Sequence, residues 1–72
     1  MDALKPQWLD LVGYDKDSDL YEHIAYAGNV AYLQEKAERL MKAGTRCRET
    51  GEPFDWFEIR ETASDKTVVI VV

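Results

Sequence analysis

The sequence predicts an α+β domain: a short helix, a long helix, then a C-terminal antiparallel β-hairpin packed on the long helix. Three observations predict it. Residues 67–72, Thr-Val-Val-Ile-Val-Val, are β-branched and apolar with no polar alternation, as in a strand covered on both faces. Residues 54–61, Phe-Asp-Trp-Phe-Glu-Ile-Arg-Glu, read as a second strand a short turn earlier. Residues 19–43 carry apolar side chains at helical spacing.

Taken in order, residues 4–12 read as a short helix. Leu4, Trp8, Leu11 and Val12 follow i, i+4, i+7, i+8 spacing, Pro6 sits in the first turn, and Gly13 suits a left-handed C-cap. A polar linker, 14–18, follows. Asp17 or Ser18 would cap the long helix, with Asp19 and Glu22 near its positive end. That helix runs to about residue 43, before Gly44, and ends in Lys36, Arg39 and Lys42, charges that suit a helix C-terminus. Its apolar residues form two adjoining stripes, Leu20, Ile24, Ala27 and Ala31 beside Tyr26, Val30, Leu33, Ala37 and Leu40, with Met41 between. Gly28-Asn29 interrupts the middle; because both stripes carry through it, one continuous helix is expected rather than two pieces. Residues 45–53 form a loop punctuated by Gly51 and Pro53. In the first strand Phe57 and Ile59 share one face, Phe54 and Trp56 the other, and 62–66 supply the turn.

At 72 residues the chain is expected to be one domain, of a size where a single core supplies only about 3–5 kcal/mol. The apolar fraction of 46% is that of a globular protein. A net charge of −5 argues against general affinity for a phosphate backbone, so nucleic acid is not an expected partner. One basic segment, Lys36, Arg39, Lys42, Arg46 and Arg48, lies between two acidic stretches. No apolar run approaches the roughly 20 residues that span a bilayer, so no membrane role is expected. Asp2, Pro6 and Asp10 interrupt the N-terminal apolar residues, which argues against a secretory signal. A lone Cys47 closes no intramolecular disulfide, and a reduced cytoplasmic protein is the expectation.

Motifs for chemistry are thin. Asp15-Lys16-Asp17-Ser18-Asp19 copies the first ligand positions of a calcium loop, then fails where Leu20 replaces the turn glycine and Tyr26 the bidentate Glu. His23 has Asp19 four residues earlier but no third metal ligand. Cys47 lies between Arg46 and Arg48, which favour a thiolate, yet follows a helix end that opposes one, and no base is placed beside it. It reads as an incidental loop thiol whose replacement by Ser would behave as a surface change. Neither a metal nor a cofactor is implied, and no catalytic residue is nominated.

The expected function is therefore a small non-enzymatic accessory or regulatory protein that binds another protein. Arg39, Lys42, Arg46 and Arg48, with the aromatics Tyr21 and Trp56, are the candidate partner contacts. The doubly apolar strand points to a homodimer through Val68, Val69, Ile70 and Val71, or through the long helix. Two alternatives remain. One is an acidic inhibitor that imitates nucleic acid with the carboxylates of 15–22 and 49–61; the other is a thiol enzyme or redox protein using Cys47. In size and style the chain is similar to small accessory proteins of bacteria and phages, without a shared motif.

Overall fold

The computed structural model describes residues 8–72. Two strands come first, β1 (Leu9–Asp15) and β2 (Leu20–Ala27), then one helix, α1 (Val30–Lys42), then β3 (Trp56–Glu61) and β4 (Thr67–Val71). The strands form one antiparallel sheet in the order β2-β1-β3-β4. β1 and β3 are thus the inner strands, and α1 covers one face. The expected order of short helix, long helix and hairpin is overturned.

Each departure has a physical cause. Residues 9–12, expected within the short helix, are strand and Trp8 is in neither helix nor strand; the rest of that expectation, 4–7, lies outside the described residues. Gly13 is no helix cap. It sits in β1 because the Phe54 ring lies against it, and a Cβ there would come within 2.7 Å of ring carbons. Of the expected linker, Tyr14 and Asp15 end β1 and only 16–18 belong to the β1–β2 turn, where Asp19 adopts the left-handed conformation that short polar residues tolerate. Residues 20–27 are strand because β1 offers them a full edge. Gly28-Asn29 is the boundary between strand and helix: Asn29 is extended and its side-chain oxygen accepts the Tyr32 amide, a standard N-cap. One helix of 13 residues replaces the expected span of 19–43.

α1 ends as expected near Gly44, whose φ of +67° allows the chain to turn back, with the Thr45 amide bonding the Leu40 carbonyl. β3 and β4 pair antiparallel, but they do not stand as a hairpin on a helix, since β3 is held on its other side by β1. The core forms where α1 meets this face. Leu33 and Ala37 pack with Leu11, Phe57, Ile59, Val71, Cys47 and Phe54. Phe54 therefore shares the core with Phe57, their ring centroids 5.1 Å apart, rather than facing the other way with Trp56.

Candidate functional site

Among the described residues the opposite face of the sheet has no helix over it, and its side chains pack on one another. Reading across the strands, Tyr21 on β2 is in register with Tyr14 on β1, and Tyr14 with Trp56 on β3. Ring centroids lie 4.5 Å apart for Tyr14–Tyr21 and 4.7 Å for Tyr14–Trp56. One step along, Val12 pairs with His23 and Glu58 and is buried without contributing to the helix-side core. The Tyr21 side chain crosses β1 so that its hydroxyl comes within 3.5 Å of Glu58 Oε2. The Arg60 guanidinium stacks on the Tyr21 ring, 4.2 Å from its centroid.

Glu58 organises this face. Its carboxylate accepts from Trp56 Nε1 at 2.8 Å, from Arg60 Nε and Nη2 at 3.1 and 3.0 Å, and from the Thr67 hydroxyl at 3.1 Å. Burial pushes its pKa up, but these hydrogen bonds and the Arg60 charge outweigh that and hold it below the ordinary carboxylate value. Arg60 is likewise desolvated, yet its bonds to Glu58 raise its pKa further. At the end of the row the Tyr14 hydroxyl donates to Asp19 at 2.6 Å, the main reason its pKa climbs to about 12. On the β2 side His23 bonds Asp10 and stacks on Tyr26 with ring centroids 4.2 Å apart. Together these side chains make a preorganised patch with Tyr21 and Tyr26 exposed.

Two sheet edges are open among the described residues. Along β4, Val68, Ile70 and Val72 are 47, 56 and 85% exposed, and no charge stands within 67–72. Beside that edge a groove of about 330 Å³ separates it from α1, lined by Glu35, Glu38, Arg39, Lys42, Val71 and Val72 among others. The β2 edge is polar: Tyr21, Glu22 and His23 face Arg48 and Glu49 across a groove of about 470 Å³.

The expected basic contacts come from two elements, the end of α1 and the loop that follows it. Arg39 and Lys42 lie on the last turn of α1. Arg46 donates to the Gly51 carbonyl, and Arg48 is fastened to Glu22 through its backbone N–H and its Nε, at 2.8 and 2.9 Å. Burial opposes ionisation of Glu22, but these bonds and the Arg48 charge hold its pKa low. Arg46 and Arg48 thus brace the 45–53 loop while their side chains stay exposed. Tyr21 and Trp56 do share one face, and Val68 and Ile70 do lie open, whereas Val71 is buried and Val69 half-buried.

Two further expectations are corrected. His23 pairs with Asp10, since Asp19 is on the turn and bonded to Tyr14. Cys47 is no surface thiol: it is 1% exposed in the helix-side core. Asp15 too is buried, one oxygen accepting the Asp17 amide. Among the described residues no three acidic, His or Cys side chains converge to hold a metal ion, and no helix is long and apolar enough to cross a membrane. Tyr14, Glu58 and Arg60 were missed in the sequence. Their signal was the alternation Trp56, Glu58, Arg60, with polar and aromatic residues on the face opposite Phe57 and Ile59. No family model, no curated protein and no solved structure matches this chain.

Proposed function

We propose that this protein is a non-enzymatic binding module that docks a protein partner on the uncovered face of its sheet and works as a homodimer. The observation that carries this reading is the cluster of Tyr14, Tyr21, Trp56 and Arg60 held around Glu58. Aromatic and Arg side chains are those that supply binding energy at interfaces, and they do so at lower entropic cost when already fixed. Tyr21 is held by Arg60 and Trp56 by Glu58, while exposed edges of Tyr21 and Tyr26 offer contact. A reducing, cytoplasmic setting belongs to the same reading, supported by a single free cysteine packed in the core.

The alternatives draw less support. Mimicry of nucleic acid needs carboxylates along one continuous face. Here Glu22 is tied to Arg48, Glu58 is buried, and Asp15 lies in the interior. A thiol reaction needs access to sulfur, and Cys47 has almost none. The test is quantitative affinity capture from lysate with the wild type, the double variant Tyr21→Ser/Tyr26→Ser and the helix-surface control Lys36→Ser, each confirmed folded by thermal melting. A partner enriched equally on wild type and control but lost from the double variant is expected. Equal enrichment on all three would remove the sheet face as the docking site.

A further inference from the structure

The geometry points to one arrangement for the homodimer, and the inference rests on the reading that the protein is a dimer: a second copy pairs antiparallel along β4 about a two-fold axis at Ile70, while the α1 helices lie antiparallel with their charges crossed. Two independent features of the chain select it.

The first is the strand. An open strand edge presents unpaired N–H and C=O groups, and proteins that stay monomeric guard such edges with Lys, Pro or inward charge. β4 carries none of these across 67–72, and its outward side chains Val68, Ile70 and Val72 are exposed. Placing the axis at Ile70 sets Ile70 against its own counterpart and Val68 against Val72 of the second copy. The three most exposed apolar residues of the segment are then the ones that meet. Such self-matching is what a two-fold, isologous contact requires. The β2 edge lacks it, because Tyr21, Glu22 and His23 stand there against Arg48 and Glu49.

The second feature is the helix row above that edge. Glu35, Glu38, Arg39 and Lys42 line the groove between α1 and β4, acidic toward the start of the helix and basic toward its end. A two-fold axis normal to the sheet brings the same row of a second copy in the opposite direction. Glu35 then faces Lys42 of the second copy and Glu38 faces its Arg39. Among the described residues, the only ion pair the row makes within one chain is the stretched Arg39–Glu35 contact at 4.0 Å. The row is therefore free to pair across the axis, and an antiparallel copy satisfies all four charges, whereas a parallel copy would set like against like.

Light scattering of the wild type over about 1 to 500 µM should approach twice the 8.3 kDa chain mass at the upper end, because association follows mass action. A monomer at every concentration overturns the dimer reading and this arrangement together. The arrangement alone is tested by cysteine trapping. Directly opposed residues of antiparallel strands have Cα atoms about 4.5–5.5 Å apart, within the span of about 4.4–6.8 Å that a disulfide bridges. Ile70→Cys should give a covalent dimer on mild oxidation, while Tyr26→Cys on β2 should not, and Cys47 is shielded in the core. A dimer by scattering that traps through Tyr26→Cys, or through neither, leaves the dimer standing and overturns the β4 pairing. For the helices, Arg39→Glu/Lys42→Glu should raise the dissociation constant about tenfold or more, and adding Glu35→Lys/Glu38→Lys should restore it. Failure of the fourfold exchange to restore association overturns the crossed charges.

Discussion

Gly13 is the residue on which the helix-side core turns. The Phe54 ring occupies the space that a side chain would take, so Gly13→Ala forces ring or strand to shift. Overpacking of this kind costs about 1–3 kcal/mol, and the urea midpoint should fall accordingly with the slope unchanged. Glu58 plays the matching part on the other face. Glu58→Ala would leave Arg60 and Trp56 Nε1 without their acceptor, at a cost of about 3 kcal/mol. Because the folded pKa of Glu58 is lowered from 4.5, its stabilisation is complete above that pH and is lost as pH falls through the lowered value. Acid unfolding of Glu58→Gln should therefore show a shallower pH dependence in that range. Tyr14 works in the opposite direction. Its bond to Asp19 raises the phenol from 10.0 to about 12, so its contribution is full below pH 10 and fades as pH rises toward 12. Asp19→Asn keeps a residue that tolerates the left-handed backbone and should return the ultraviolet titration of Tyr14 toward the ordinary phenol range.

At the scale of elements, α1 starts where Asn29 caps it, and Asn29→Ala should cost about 1 kcal/mol, measurable as a fall in melting temperature. The sequence made the end of α1 legible, since Gly44 and the basic last turn are local signals. Its beginning was not, and β2 shows why. The pairing of β1 with β2 slips between Leu11 and Val12, so Leu11 faces Ala25 while Val12 faces His23, and Ile24 is the extra residue. Tyr21 and His23 lie on the uncovered face before the bulge and Tyr26 after it. The two-residue period is broken there, and what remains, Leu20, Ile24 and Ala27, imitates a helical stripe. β1 was hidden differently, by a glycine at the position where its core side chain should be. The uncovered face was half legible: Tyr21 and Trp56 stood out as aromatics, but nothing local announced that Glu58 between them would be buried. That depends on Arg60, Thr67 and the register of three strands.

Across the molecule as described, α1 and one sheet face make a thin core, and Cys47 lies inside it although it belongs to the 45–53 loop. The loop is drawn there by the Glu22–Arg48 pair and by its own backbone bonds between Cys47 and Glu52. The thiol thus reports on opening of the domain. Native protein should react with a disulfide reagent far more slowly than urea-unfolded protein, and Glu22→Gln should speed the native reaction while leaving the unfolded rate unchanged. Equal rates in native and unfolded protein would contradict the burial of Cys47.

The strand order carries a consequence for how the chain is made. β1 precedes β2, β3 and β4 in the sequence, yet it sits in the interior of the sheet, and its partner on the far side, β3, follows at a separation of 48 residues, as the pairing of Leu11 with Ile59 measures. A nascent chain can zip β1 to β2 by a short turn and wind α1, but it must keep the other flank of β1 unsatisfied until Ile59 has emerged. Closing so long a loop is slow and exposes an aggregation-prone edge meanwhile. The exposed charged turn of Lys16, Asp17 and Asp19 then has a role during synthesis as well as in the finished fold, keeping the waiting hairpin soluble. Chains stalled on the ribosome before residue 56 should be open to protease along β1, and those released past residue 61 should be protected there.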